Sequence, residues 1–180
     1  MVVQSGKHPA VFLDRDGVLT VPIFSDGRSF APRCIEDFEF YDDAPESVQA
    51  LKDAGFRVVV VTNQPDVGSG LVDIAVVEKM HQILMDKLCV DKIMVCYETR
   101  EQATHRRKPA PGMLLEAALE LDLDLSSSFL VGDRAGDIEA ASRANVTSVF
   151  IDRGYNEERP TQQAVIVSSM ESATSWILES

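Results

Sequence analysis

The chain has 180 residues, a length that suits one domain with a single sizeable core. Its net charge of −12 argues against a nucleic-acid partner, which needs basic surface, and no apolar run is long enough to span a bilayer. Three cysteines give no disulfide framework, and the N-terminus lacks the apolar region of a signal peptide. We therefore expect a single cytoplasmic domain over residues 1–180, without a membrane partner.

The first predicted strand ends in two carboxylates. Residues 10–13 form a short apolar run, and Asp14 and Asp16 follow it. In an open parallel sheet, ligands bind at the C-terminal ends of the strands. Two acids so close together repel each other unless a cation or a shared proton relieves them. The pair alone is equally compatible with an acidic turn, because Asp is a common turn residue.

Three further apolar runs are each followed by polar side chains. They cover residues 57–61, 93–96 and 128–131. The polar groups that follow them, in chain order, are Thr62, Asn63, Arg107, Lys108, Asp133 and Asp137. Because the C-terminal ends of parallel strands meet at one sheet edge, we expect these groups to converge with Asp14 and Asp16.

Helical patterns separate the predicted strands. Helices are predicted at residues 44–53, 71–88, 111–121, 135–144 and 170–178, and further short strands at residues 148–151 and 165–167. This alternation predicts an α/β fold, a Rossmann-like three-layer sandwich around a central parallel sheet. Residues 17–43 do not fit the alternation, and no stretch between the motifs is long enough for a large cap domain. His81 lies alone in the second helix, where a surface or core-edge histidine is more common than a ligand.

Basic side chains crowd one short segment of the otherwise acidic chain. They are Arg100, Arg106, Arg107 and Lys108. A solvated basic loop is one interpretation of this segment. We favour an anion-binding wall opposite the carboxylates, because the segment leads directly into the helix predicted from residue 111.

In this order, the residues resemble the four motifs of the haloacid dehalogenase superfamily of phosphotransferases. The resemblance extends from Val11 to about Arg153. Its motifs are Asp14-x-Asp16 after the first strand, Thr62 after the second, Lys108, and the pair Asp133 and Asp137. One such motif is weak evidence, but four in the right order are strong. The resemblance also implies that residues 17–43 form a small flap beside the site, with an irregular surface loop as the alternative.

Three segments carry a narrower resemblance, namely residues 12–18, 62–64 and 107–113. They are similar to D-glycero-D-manno-heptose-1,7-bisphosphate 7-phosphatases and to histidinol-phosphate phosphatase domains. This similarity implies a monomeric enzyme for a small phosphorylated metabolite, with a sugar bisphosphate, another sugar phosphate and histidinol phosphate all open. The chain departs from the family pattern after residues 62–64, where Pro65 and Asp66 stand in place of Ser-Gly.

The superfamily resemblance assigns the aspartates their roles. Asp14 is expected to attack phosphorus as the nucleophile and to form an aspartyl-phosphate. Asp16 is expected to protonate the leaving oxygen and then to deprotonate the hydrolytic water. Magnesium suits such a site because it prefers oxygen ligands. Its expected ligands are the Asp14 carboxylate, the Asp16 backbone carbonyl and the Asp133 carboxylate.

The remaining motif residues are expected to bind the substrate. Thr62, Asn63 and Lys108 would hold the phosphoryl oxygens, over which the transition state spreads its charge. Arg107 would contact the substrate. Asp137 would lie behind the metal ligands or orient Lys108.

Two other classes of protein use similar residues. Receiver domains of signalling proteins combine strand-end acids with a Thr or Ser and a Lys, but their phosphorylated Asp follows the third strand, with Thr and then Lys after it. Here Thr62 follows the second strand and another acid pair comes after the lysine, so the order does not match. A catalytically silent phosphate-binding relative is the second alternative, and four intact motifs give it no support.

The segment before the basic residues differs from the zinc loop of the heptose phosphatases. That loop has Cys and His ligands, whereas this chain keeps only Cys96 and His105. A structural zinc site normally needs four Cys or His ligands. We therefore expect no structural zinc, and a loop held by its own packing and by hydrogen bonds from Thr99, Gln102 and Thr104.

Overall fold

A computed structural model describes residues 7–180. Its strands are β1 (Ala10–Leu13), β2 (Ile23–Ser25), β3 (Arg28–Phe30), β4 (Arg57–Asn63), β5 (Lys92–Cys96), β6 (Phe129–Gly132), β7 (Thr147–Ile151) and β8 (Val165–Val167). Its α-helices are α1 (Ala44–Asp53), α2 (Pro65–Gly68), α3 (Ile74–Leu88), α4 (Gly112–Glu120), α5 (Ala135–Arg143) and α6 (Met170–Glu179). Two single-turn 3-10 helices cover Ile35–Asp37 and Leu125–Ser127.

Six strands form one parallel sheet in the order β5-β4-β1-β6-β7-β8. The chain adds strands on one side of β1 and then crosses to add the others on its opposite side. In open α/β sheets, ligands bind beyond the C-terminal ends of the strands at this reversal point. The topology therefore places the residues that follow β1, β4 and β6 where a site is expected, and the predicted α/β fold is confirmed.

Helices cover both faces of the sheet and create two cores. In β1, Val11 and Leu13 pack with buried side chains of α1, α3 and α6, while Ala10 and Phe12 pack with those of α4 and α5. A strand buried on both faces has a continuous apolar sequence rather than an alternating one. This explains the unbroken apolar run in β1 and confirms the three-layer arrangement.

The start of the second long helix differs from the prediction. Residues 71–73 are not helical, and α3 begins at Ile74. Asp73 caps the helix, because its side chain accepts a hydrogen bond from the Ala75 backbone N–H. The apolar periodicity of residues 71–88 therefore predicted a helix start three residues before the observed one. Leu71, in the part that is not helical, is exposed. Within residues 7–180, no helix is both long and apolar enough to cross a bilayer.

Residues 17–43 contain a small hairpin rather than a large cap. Strands β2 and β3 pair antiparallel across Asp26 and Gly27, which both have positive φ angles (52° and 74°). An Asp-Gly pair with positive φ favours a tight hairpin turn. The hairpin is attached to the main body, where Arg134 Nη2 donates to the Ser29 carbonyl at 2.6 Å and Phe24 packs on Tyr155. This structure matches the expected flap.

Candidate active site

The predicted site residues converge at the C-terminal edge of the sheet. Asp14 follows β1, Thr62 and Asn63 end β4, and Asp133 follows β6. Asp14, Thr62 and Asn63 border a cavity of about 960 Å³. Its lining includes Asp14, Asp16, Thr62, Asn63, Arg107, Lys108 and Asp137, and Asp133 lies against Asp14 beneath it. The convergence expected from the strand ends is thus present in the structure.

Lys108 is buried between two carboxylates. Its Nζ lies 2.9 Å from Asp14 Oδ1 and 2.6 Å from Asp137 Oδ1, and it donates to the Val61 carbonyl at 2.7 Å. The three N–H groups of the ammonium can therefore each reach an acceptor. Burial alone would lower the pKa of Lys108, but the charges of Asp137 and Asp14 outweigh it and raise that pKa above its usual value. Lys108 is a fixed positive charge.

The carboxylates of Asp14, Asp133 and Asp137, hereafter the aspartate cluster, present oxygen atoms within 4.8 Å of one another. Burial, opposed by Lys108 and reinforced by Asp137 and Asp16, raises the pKa of Asp14 to about 6. Burial and the charges of Asp14 and Asp137 raise the pKa of Asp133 well above its usual value. Three carboxylates with one ammonium carry excess negative charge, which a divalent cation would neutralise.

Asp133 is the carboxylate best placed to bind a cation. Both of its oxygens are buried and have no hydrogen-bond partner within residues 7–180. The Tyr155 hydroxyl lies close to this carboxylate and offsets part of the rise in its pKa, but it makes no well-formed hydrogen bond to either oxygen. Asp137, in contrast, uses Oδ1 for Lys108 and Oδ2 for the Arg134 backbone N–H. The oxygen donor set fits Mg²⁺: Asp133 has both oxygens available for a cation, whereas both oxygens of Asp137 are already in contact with Lys108 and Arg134.

Gly17 leaves the space that Asp133 occupies. A Cβ atom at this position would lie 1.8 Å from Asp133 Oδ2. The residue also has a φ of +89°, which L side chains rarely adopt. The turn after Asp16 therefore needs glycine for two reasons, one conformational and one steric.

Asp14 is held at one oxygen only. Its Oδ1 accepts from the Arg15 backbone N–H at 2.8 Å and contacts Lys108 Nζ. No hydrogen bond within residues 7–180 reaches its Oδ2. This carboxylate is fixed in orientation and still has an oxygen free to react or to bind a metal.

The Asp16 carboxylate is held at both oxygens. Its Oδ2 accepts from Arg15 Nε at 3.0 Å and from Gln64 Nε2 at 2.8 Å, and Arg15 Nη2 lies 2.9 Å away. Its Oδ1 accepts from Thr20 Oγ1 at 3.1 Å. No role was predicted for Arg15, Thr20 or Gln64. Their position within or beside the motifs is the only signal in the sequence.

Thr62 and Asn63 contact their neighbours as well as the cavity. Thr62 Oγ1 is buried and accepts from Gln64 Nε2 at 2.9 Å. Asn63 Oδ1 accepts from the Lys108 backbone N–H at 3.2 Å, and its Nδ2 donates to the Lys108 carbonyl at 3.0 Å. This two-point contact joins the end of β4 to the loop that carries the lysine.

The basic wall differs from the one predicted. Arg100 and Arg107 line the cavity, and Arg107 Nη1 also donates to the Glu98 carbonyl at 2.5 Å. Arg106 instead points to the outer face, where its Nε donates to Glu116 Oε2 at 3.0 Å. Two arginines that the sequence analysis did not select complete the cavity lining, Arg28 of the hairpin and Arg134 before α5.

Residues 97–107, hereafter loop 97–107, are held by local hydrogen bonds. The Thr104 N–H and hydroxyl both donate to the Glu98 carboxylate at 2.7 Å, and the Thr99 N–H donates to Gln102 Oε1. Cys96 is buried and His105 is exposed. Within residues 7–180 the aspartate cluster is the one group of three or more metal-ligating side chains. The predicted hydrogen bonds are present, and the absence of zinc stays a prediction.

Comparison with known proteins identifies the family. A family described as polynucleotide kinase 3 phosphatase matches residues 11–159. D-glycero-beta-D-manno-heptose-1,7-bisphosphate 7-phosphatase of Escherichia coli K12 is 36% identical, over 96% of this chain and 89% of its own. The enzyme of the same name from Photorhabdus laumondii is 34% identical, and the similarity covers 90% of this chain and 91% of that enzyme.

A solved structure agrees with these relatives. D,D-heptose 1,7-bisphosphate phosphatase from B. bronchiseptica, complexed with magnesium and phosphate, is similar with a TM-score of 0.81 at 25% identity. The similarity covers 95% of this chain and 98% of that one. With the motifs and the fold described above, these matches show that the chain belongs to the polynucleotide kinase 3 phosphatase family and is a phosphatase of the haloacid dehalogenase superfamily.

Proposed function

We propose that the chain is a magnesium-dependent phosphomonoester hydrolase that acts through an aspartyl-phosphate on Asp14. The observation that carries this proposal is the state of the Asp14 carboxylate. One oxygen is fixed by Lys108 and the Arg15 N–H, and the other is free at the floor of a cavity. A positioned carboxylate with a free oxygen can attack phosphorus.

The reaction follows in two steps. In the first, Asp14 attacks phosphorus, the bond to the ester oxygen breaks, and Asp16 gives that oxygen a proton. In the second, Asp16 takes a proton from a water molecule, whose oxygen attacks phosphorus. The acyl-phosphate bond then breaks, which releases inorganic phosphate and restores the Asp14 carboxylate.

The neighbouring residues hold the charge of the phosphoryl group. When bound by Asp14, Asp133 and the Asp16 carbonyl, Mg²⁺ supplies positive charge that stabilises the transition state. Lys108 offsets the charge of Asp14, so that an anionic ester can approach it. Thr62 and Asn63 lie at the cavity wall on the side of β4, where they can donate to phosphoryl oxygens.

We propose a sugar bisphosphate as the substrate, with D-glycero-D-manno-heptose 1,7-bisphosphate as the first candidate. The names of the relatives at 34–36% identity support it. Arg28, Arg100 and Arg107 border the same cavity and can pair with a second phosphate, since arginine matches phosphate geometry well. We further propose that the protein is monomeric, as the family resemblance implies, and that it is cytoplasmic. Light scattering would test the first property and cell fractionation the second.

A phosphate-release screen tests the proposal. Sugar mono- and bisphosphates, both anomers of the heptose bisphosphate and histidinol phosphate would each be supplied with Mg²⁺. We expect the protein to hydrolyse the heptose bisphosphate, with a higher kcat/KM for one anomer than for the other. We expect no hydrolysis in excess chelator. Preference for histidinol phosphate would contradict the proposed substrate, and full activity in chelator would contradict the proposed reaction.

A further inference from the structure

Arg15 is a buried cation beside the active site. It lies between Asp14 and Asp16 in the chain, its side chain has no solvent exposure, and it is the largest side chain that is fully buried within residues 7–180. Its guanidinium contacts a single carboxylate, that of Asp16, through Nε at 3.0 Å and Nη2 at 2.9 Å. A buried charge is costly unless it is paired, so this contact helps to fix where both groups lie.

The far side of the guanidinium faces α3. Arg15 Nη1 lies 3.2 Å from His81 Nε2, and the Arg15 Cζ lies 5.5 Å from the centre of the Phe38 ring. A guanidinium only donates hydrogen bonds, so His81 Nε2 accepts this one and the imidazole is neutral. Burial, together with the Arg15 charge, lowers the pKa of His81 to about 4, which agrees with a neutral ring at neutral pH.

A purely structural role explains this arrangement poorly. Buried ion pairs contribute little net stability, since their desolvation offsets the attraction and apolar replacements of similar size are often as stable. The contact joins residues 66 positions apart, and it ends on the carboxylate that must exchange a proton with the substrate. Proton transfer depends on the position of the donor, because the group must lie within hydrogen-bond reach of the reacting oxygen.

We propose that His81 and Arg15 are positioning residues for Asp16, with His81 fixing the guanidinium and the guanidinium fixing the carboxyl group for proton transfer to the leaving oxygen. Gln64 holds the same oxygen of Asp16 from β4, and Thr20 holds the other. This inference rests on the proposed phosphatase reaction, in which Asp16 is the proton donor.

If Asp16 is displaced, the effect on the rate of ester cleavage should depend on the leaving group. An alkoxide leaves slowly unless it is protonated, whereas p-nitrophenolate is a weak base that leaves without a proton. A displaced Asp16 should therefore slow the cleavage of a sugar phosphate and have little effect on p-nitrophenyl phosphate. Loss of general folding or of metal binding would slow both reactions equally.

The test compares kcat/KM for p-nitrophenyl phosphate and for the best sugar phosphate, both with saturating Mg²⁺. The value of kcat/KM includes the step in which the leaving group departs. For His81→Leu we expect a loss of at least about tenfold on the sugar phosphate and of less than about threefold on the aryl ester, since general acid catalysis is typically worth 10²–10⁴-fold. His81→Gln keeps an acceptor at similar reach and should recover most of the sugar-phosphate activity.

Two further variants calibrate the result. Asp16→Asn should show the same dependence on the leaving group with a larger loss. Gln82→Leu places the same apolar side chain at the next, exposed position of α3, where the native Gln82 side chain forms a hydrogen bond only with Asp86 within residues 7–180, and it should match the wild type on both esters. The ratio of the two kcat/KM values does not depend on the fraction of folded protein, so partial unfolding of His81→Leu leaves it interpretable.

Two outcomes would overturn the proposal. One is that His81→Leu fails to distinguish the two esters, either because it loses activity equally on the sugar phosphate and on p-nitrophenyl phosphate or because it loses none. The other is a His81→Gln variant that is as impaired on the sugar phosphate as His81→Leu. A wild-type protein that hydrolyses neither ester would contradict the proposed phosphatase function, and the inference with it.

Discussion

The aspartate cluster and loop 97–107 contain the same kinds of charged side chain in opposite surroundings. In the cluster, Asp137 pairs with Lys108, and the side-chain exposures of these two residues are 3% and 4%. In the loop, the ring of His105 is 73% exposed, and it shares Glu116 with Arg106 at the surface. Exposed ion pairs typically contribute only about 0–1 kcal/mol, whereas breaking a buried pair by removing one partner costs about 3–5 kcal/mol.

This difference predicts where the chain should tolerate change. Hydrogen bonds from Thr104 to Glu98 help to hold the path of loop 97–107, so we expect the loop to keep its path without a zinc ion. The cluster has no such freedom, because each of its carboxylates contributes to the charge that the others experience. Substitutions in the two regions should therefore differ by orders of magnitude in their effect on activity.

The largest effect is expected for the nucleophile. Asp14→Asn keeps the size of the side chain but removes the attacking carboxylate, so activity should fall by about 10⁴-fold or more while the fold persists. Phosphate release measures the loss, and circular dichroism checks the fold. Near wild-type turnover in this variant would show that the mechanism is wrong.

The sequence predicted the residues of the cluster well and the periphery of the cavity poorly. Asp14, Asp133 and Thr62 directly follow or end parallel strands, so the fold class alone brings them together. Contacts that depend on how loops and helices pack have no such rule. The contact between Arg15 and His81 is an example of such packing. The apolar periodicity of the sequence places the histidine on a helix, but it cannot predict which side chain the histidine contacts.

Loop residues show the same limit. Arg106 and Arg107 are neighbours in the chain, but one contacts Glu116 on the outer face and the other lines the cavity. Composition cannot distinguish them, because the direction of each side chain is set by the path of the loop. Arg28 reaches the cavity only because the hairpin folds over it.

The second prediction concerns the metal. Asp133→Asn removes a buried charge that has no hydrogen-bond partner within residues 7–180, so the variant should melt at the same temperature as the wild type or higher in chelator. It should lose most of the rise in melting temperature that Mg²⁺ gives the wild type, together with activity. Thermal melts with and without Mg²⁺ measure both effects.

The exposed Asp42→Asn is the matched control for that measurement, because it removes one charge without touching the cluster. It should keep the full response to Mg²⁺. If Asp133→Asn kept that response too, Asp133 would not be a ligand.

The third prediction concerns pH in the absence of metal. The pKa of Asp14 is about 6 in the folded protein against 3.8 for the ordinary group, and that of Asp133 is also raised. Between these values the folded protein binds protons that the unfolded chain does not. In chelator, Asp14 and Asp133 should therefore add to the free energy of unfolding as the pH falls from about 7 to about 5, with little further gain below about pH 4. His81 opposes this gain, because its pKa of about 4 lies below the ordinary 6.5, so the rise is expected most clearly in His81→Leu.

Urea unfolding at a series of pH values measures this dependence. Bound Mg²⁺ favours the ionised carboxylates, so the same series with Mg²⁺ should show a smaller or reversed slope. Asp133→Asn should flatten the slope in chelator. A metal-free His81→Leu protein that loses stability over this range would contradict the raised pKa values of Asp14 and Asp133.

The smallest effect is expected in loop 97–107. His105 is exposed, and within residues 7–180 its ring forms a hydrogen bond only with Glu116, so His105→Ala should change the free energy of unfolding by no more than about 0.5 kcal/mol. A zinc ligand would behave differently, because a structural zinc contributes directly to folding. Elemental analysis of protein purified without chelator should find less than stoichiometric zinc, and a zinc chelator should leave the melting temperature unchanged when Mg²⁺ is in excess. One zinc per chain, lost together with several kcal/mol of stability in His105→Ala, would mean that the loop is a metal site despite its two missing ligands and that the contrast with the aspartate cluster does not hold.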